Sequence, residues 1–328
     1  MFMMLSRRQV LLMAGLAGTT AWAGQASAQA SFPDKPIRLL VPNAAGGVAD
    51  LTARAVGQGL TARLKQPVVV ENRPGAGGIV AGQALTTAPA DGYTLMVATN
   101  ANAISKSLFR SLPFDPIRDF APVGLMGTFS IALLVPPASP IRNVEDLLRT
   151  LKGAPALANI GTISVGSTQH LSAELFKTAS GIDAVTVPFN GTPNLLTALL
   201  RSDITVAFEI VAPLMGQIRD GSLRAIAVTS AERAANMPDV PTLREAGLAD
   251  FEVTSWNALV APAKTPPEII ARLNDALNDV LADAAIRKQL LDAGVEAHGG
   301  TAAALGERMT TEAEKWRRVI ETAGIEKQ

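Results

Sequence analysis

Short apolar runs alternate with longer stretches of helical spacing, and that alternation constrains this chain more than any other feature. IRLLVP (37–42) precedes Val48, Leu51, Ala55, Leu60 and Leu64 at near-helical intervals. PVVVE (67–71) leads through NRPGAGG (72–78) into a second helical run from Ile79. YTLMVAT (93–99) and the longer IALLVPP (131–137) read as further strands. Strands that are apolar on both faces and joined by helices predict parallel sheets covered on both sides. The expected class is therefore α/β.

The pattern then restarts. Asn143 caps a predicted helix running to Leu151, with Glu145 and Asp146 at its positive end. ALANI (156–160) ends in GTISVGST, and a helix follows through Phe176. AVTVPF (184–189) ends in NGTPN before LLTALL, and ITVAFEI and LRAIAVTS supply two more strands. TSWNALVAP (254–262) reads as a long strand, and two helices close the chain, at 267–293 and 303–323. Pro266-Pro267 suits the first turn of the former. Two sets of strand–turn–helix units predict two domains, 31–130 with 256–328 and 131–255, joined by two crossings with a cleft between them.

The first thirty residues stand apart. Arg7 and Arg8 precede an apolar core at 10–23, followed by small residues with Ala-x-Ala sites ending at Ala28 and Ala30. These are the three parts of a cleavable secretory signal, so residues 1–30 are expected to be removed on export. Ser6-Arg7-Arg8 followed by Gln9-Val10-Leu11-Leu12 also resembles a twin-arginine signal. The apolar core is shorter than the roughly 20 residues a membrane span requires. Without Arg7 and Arg8 the formal charge falls from 0 to −2.

Charge and composition exclude several functions. The 29 basic and 29 acidic residues give no basic surface for nucleic acid. With no cysteine and only His170 and His298, thiol nucleophiles, disulfides and cysteine- or histidine-rich metal sites are ruled out, and no cofactor is expected. No sustained heptad points to an oligomer, so a monomer is expected.

Four glycine turns carry what chemistry is visible. PNAAGG (42–47) joins a strand to a helix but lacks the Gly-Lys-Ser/Thr of a phosphate loop. It suits either a less charged anion such as a carboxylate, held by free main-chain N–H groups, or a plain turn. Gly75-Ala76-Gly77 begins a dinucleotide fingerprint, but Val80 stands where its third glycine belongs. GTISVGSTQHLSAE (161–174) places Ser164 and Ser167 near His170. An exported serine hydrolase using them is the alternative function, although the G-x-S-x-G elbow is absent. Ser167 or Thr168 also suits a helix N-cap. VPFNGTPN (187–194) mirrors the first turn, and Glu209 is a carboxylate set in an apolar strand pattern. Trp256 and Phe189 read as packing residues.

PNAAGGVAD, NRPGAGG, GSTQHL, VPFNGTPNLLTALL, LRAIAVTSAERAANMPDVPTLREAGL and SWNALVAPAKTP occur in this order along the chain. Together they resemble the Bug-type solute receptors of tripartite tricarboxylate transporters over essentially the whole mature length. The resemblance implies a two-domain periplasmic binding protein (type II-like), each domain a mostly parallel sheet flanked by helices, with two crossing strands as hinge. It implies capture of a small carboxylate (a di- or tricarboxylate, an acidic amino acid or an aromatic acid) and delivery to membrane permease subunits. The ligand site it implies comprises Asn43, Ala44, Ala45, Gly46, Gly47 and Asp50. Gly166, Ser167, Thr168, His170, Asn190, Gly191 and Glu209 would face these from the second domain, with Thr99, Asn100 and Ser130 near the crossings. The family more often has an aromatic at the position of Asn43 and aspartate at that of Glu209.

Overall fold

A computed structural model describes residues 32–153 and 158–328, so the expected signal at 1–30 lies outside the described residues. Residues 35–328 pack as one compact unit. Strand β1 (Ile37–Val41) buries every side chain except Arg38. Helix α1 (Val48–Leu64) turns Ala49, Ala53, Val56, Leu60 and Leu64 inward at helical spacing. Strand β2 (Val68–Asn72), helix α2 (Ile79–Thr86), strand β3 (Thr94–Thr99) and helix α3 (Asn100–Leu108) complete the first set. β1 pairs with β2 and β3 in parallel.

Strand β4 (Phe120–Val135) is the longest and leads into helix α4 (Val144–Gly153), which Asn143 caps through a 2.8 Å bond from the Asp146 N–H to its Oδ1. The second set runs β5 (Asn159–Ile163), α5 (Thr168–Ser180), β6 (Val185–Phe189), α6 (Thr192–Leu200), β7 (Val206–Ile210), α7 (Met215–Arg219) and β8 (Arg224–Val228). Strand β9 (Thr254–Pro262) returns to the first set, followed by α8 (Pro267–Ala282), α9 (Ala284–Asp292), β10 (Glu296–Ala297) and α10 (Ala302–Thr322).

The sheet order is β2-β1-β3-β9-β4-β7-β5-β6, with β8 and β10 also pairing to β4. The parallel pairs lie toward the two ends and the antiparallel ones in the middle. β4 belongs to both halves. Its residues 120–130 pair with β9, and 131–135 pair with β7 and β8.

Three elements depart from the sequence reading. Strand β4 starts eleven residues before the expected 131, since Pro122, Gly124 and Gly127 mark turns in a sequence window. In the fold those residues stand at two register shifts against β9, where a strand tolerates them. The expected helix 267–293 is two helices, because Asp283 takes an extended conformation and accepts bonds from the Ala285 and Ile286 N–H groups as a new N-cap. The strand expected at 156–160 occupies Asn159–Ile163, and residues 156–157 lie outside the described residues.

Trp316 on α10 is fully buried in a cluster with Ile104 and Leu108 of α3 and with Phe176 and Phe208 of the second set. Its indole Nε1–H donates to Glu312 Oε2 at 2.8 Å. Trp316→Ala is expected to lower unfolding free energy by about 3–5 kcal/mol, read as a shifted midpoint in urea unfolding.

Candidate functional site

Each parallel strand that ends near the middle of the sheet hands the chain to a helix. β1 leads to α1, β3 to α3 and β5 to α5. The carboxyl ends of these strands face one cavity of about 280 Å³. Its lining contains the N-cap and first two residues of all three helices: Gly47, Val48 and Ala49; Thr99, Asn100 and Ala101; Ser167, Thr168 and Gln169. An α-helix leaves the N–H groups of its first turn without intrahelical partners and carries partial positive charge there. Three such ends converge on one space. The remaining wall is Asn43, Phe129, Ile163, Ile210 and Ser255 to Asn257, so no charged side chain lines it.

Polar side chains pin each helix end to the sheet. Asn257, fully buried on β9, donates from Nδ2 to Thr52 Oγ1 at 2.9 Å, and Thr52 donates to the Val48 carbonyl at 2.7 Å. Asn100 donates to the Thr254 carbonyl at 3.2 Å and accepts the Trp256 N–H at 2.8 Å, so α3 is tied to β9 like an extra strand residue. Gln169 donates from Nε2 to Glu209 Oε1 at 2.6 Å, which ties α5 to β7. Glu209 is 1% exposed and also accepts the Ile210 N–H at 2.7 Å and the Thr192 hydroxyl at 3.0 Å. Burial pushes its carboxyl above the ordinary value, against those three bonds.

The first glycine turn is held by Asp50. Gly46, at φ +83°, donates its N–H to Asp50 Oδ2 at 2.9 Å, and Arg54 Nε donates to the same oxygen at 2.9 Å. Asn72 Nδ2 donates both to Asp50 Oδ1 and to the Asn43 carbonyl, each at 3.0 Å. Burial pushes the Asp50 carboxyl up, but the bonds from Arg54, Gly46 and Asn72 together hold it below its ordinary 3.8.

The residues named from the sequence therefore divide. Asn43, Gly47, Thr99, Asn100, Ser167 and Thr168 line the cavity. Ala44, Ala45 and Gly46 form the exposed turn beside it, and Asp50 is spent on holding that turn. Gly166, at φ +78°, packs where a Cβ would sit 2.3 Å from Leu108 of α3, so it brings the α5 turn against the first half. Asn190 is exposed and Gly191 half-buried at the start of α6, while Glu209 stands behind Gln169. Ser130 bonds Ser230 at 3.0 Å and lines a separate groove with Arg233, His298 and Arg308. Trp256 is fully buried in a core cluster, and Phe189 packs against another.

Ser167 and His170 do not form a nucleophile–base pair. The Ser167 hydroxyl donates to the Ile163 carbonyl at 3.0 Å and accepts the His170 main-chain N–H at 3.1 Å, as an N-cap does. The His170 imidazole is buried and its Nδ1 has no partner among the described residues. Burial pushes its pKa down, with Glu174 opposing and Lys177 adding to the fall. The serine-hydrolase alternative has no support in this geometry.

Residues 52–325 match the model of the tripartite tricarboxylate transporter family receptor. The chain belongs to that family. Among solved structures, it is 31% identical to Rpa4515 of R. palustris with adipate, covering 90% of this chain and 100% of that one at a TM-score of 0.79. It is 29% identical to the periplasmic binding protein BugD, covering 90% and 100%, at a TM-score of 0.76. It is 30% identical to MatC of Rhodopseudomonas palustris with bound malate, covering 88% and 100%, at a TM-score of 0.74. The two-halved α/β sheet of this receptor is thus the periplasmic-binding-protein fold. Among its described residues, no helix is long and apolar enough to cross a membrane.

The sequence reading misses Val48, Ala49, Ala101, Gln169, Phe129, Ile163, Ile210 and Ser255 to Asn257 as cavity residues. The apolar ones look like core, and the partner that gives Gln169 its place is forty residues away. Asp50→Asn is expected to cost about 1.5–3 kcal/mol by weakening charge-assisted bonds. A carboxyl with a depressed folded pKa contributes stability above its unfolded value, and that contribution is lost as pH falls through the folded value. The gap between wild type and D50N should hold steady above about pH 5 and close in acid below about pH 4, measured by urea unfolding across pH.

Proposed function

We propose that this receptor captures a small carboxylate in the periplasm, in the cavity where α1, α3 and α5 begin, and delivers it to the permease subunits of a tripartite tricarboxylate transporter. The observation that carries the reading is the convergence of three helix N-termini on one uncharged cavity. Main-chain N–H groups aimed from three directions suit a carboxylate and need no lysine or arginine. The adipate bound by one relative and the malate bound by another are small carboxylates of this kind.

The two halves act as domains that close about β4 and the second crossing at 253–254, with the carboxylate between them. Val48 and Ala49 hold it from the first domain and Thr168 from the second, while Asn43 at the rim tunes which acid enters. The chain is exported through its cleavable signal and works as a monomer.

A thermal-shift screen of mono-, di- and tricarboxylates tests the reading, since a ligand at a hundredfold excess over its Kd stabilises by about 2.7 kcal/mol. Folded protein that responds to no acid would overturn it. A sharper variant is Val48→Pro. Proline suits the first helical position, and Gly47 already has the extended backbone a residue before proline adopts (φ −78°, ψ 169°). V48P is expected to keep its melting temperature within about 2 °C while carboxylate affinity falls roughly tenfold or more, because one charge-assisted N–H is gone.

A further inference from the structure

The wall contributed by the second half differs chemically from the helix ends facing it. Gln169 lines the cavity, and its side-chain amide has a fixed polarity. Glu209 Oε1 accepts from Gln169 Nε2 at 2.6 Å and from the Ile210 N–H at 2.7 Å, while Oε2 accepts from Thr192. Glu209 Oε1 is already the acceptor of the Ile210 N–H, and the amide turns its NH₂ toward that same oxygen. The Gln169 carbonyl oxygen, Oε1, is then the atom not engaged by Glu209.

Charge reinforces that polarity. No lysine, arginine or histidine among the described residues lies within ion-pair distance of Glu209. No cation lines the cavity either. A second ionised carboxylate on the ligand, placed against Gln169, would meet an acceptor oxygen and no cation. A hydroxyl or ammonium placed there would donate to Oε1.

We infer that Gln169, oriented by Glu209, reads a hydrogen-bond donor on the ligand, so that this receptor prefers hydroxy- or amino-substituted monocarboxylates to dicarboxylates of the same chain length. The inference rests on the carboxylate reading above and goes beyond it. Gln169 is the specificity-determining contact, and Glu209 is a positioning residue that acts through it.

Isothermal titration with two matched sets tests this: butanoate, 4-hydroxybutanoate, 4-aminobutanoate and succinate; and hexanoate, 6-hydroxyhexanoate, 6-aminohexanoate and adipate. In at least one set the hydroxy or amino acid should bind roughly tenfold or more tightly than the dicarboxylate. Gln169→Met, close to volume-conserving, should abolish that preference, read as the ratio of the donor-bearing acid's affinity to the dicarboxylate's within each set, with Q169L as the second variant if Q169M does not fold. Glu209→Gln should shrink the preference, because an amide facing an amide has no enforced orientation, and this is a readout that lost stability alone would not move. Dicarboxylates binding as tightly as their donor-bearing partners, or a preference that survives at position 169, would overturn the inference and leave the receptor reading standing. Silence from all eight acids would overturn the inference, and silence from the whole thermal-shift screen as well would overturn both.

Discussion

Three buried polar ties hold this receptor's site in place. Asn257 fixes α1 through Thr52, Asn100 fixes α3 to β9, and Gln169 fixes α5 through Glu209. Each reaches from a helix end to a central strand of the sheet. A helix N-terminus attracts an anion only where it points, and its field fades within a turn. The three ends face one small cavity, and these ties, with the shared strand β4, hold them there. Such ties are costly to break, since a buried polar group without a partner costs about 1–3 kcal/mol.

Asp50 is likewise spent on holding the turn at Gly46. Its carboxylate is buried within a site proposed to hold a carboxylate, which would be repulsive were it not consumed by Gly46, Arg54 and Asn72. The charge that Arg54 brings stays with Asp50. The cavity is left lined by neutral groups and main-chain dipoles. Glu209 differs, since its three bonds come from neutral donors and no cation accompanies it.

Much of this was legible in the residues. The strands at 37–41, 94–99, 185–189 and 254–262 and the helices between them follow from apolar runs and helical spacing, which are local properties. The turns at 43–47 and 166–168 were legible for the same reason: glycine and capping hydroxyls mark helix starts. What was hidden depends on distant partners. The first part of β4 reads as turns because Pro122, Gly124 and Gly127 are tolerated only through register shifts set by β9. Gln169 is one polar residue among several in GSTQHL until Glu209 is folded behind it. Phe129, Ile163 and Ile210 look like core, and only the gap between the two halves makes them a cavity wall.

The central claim is that main-chain N–H groups of three helices hold the ligand. Amide proton and nitrogen shifts, followed while 4-hydroxybutanoate or succinate is titrated into the folded protein, test it most directly. Saturable shifts centred on Val48, Ala49, Asn100, Ala101, Thr168 and Gln169, with one common Kd, are the expected result. Saturable shifts confined to the groove of Arg233, His298 and Arg308, with those six amides unmoved, would contradict it.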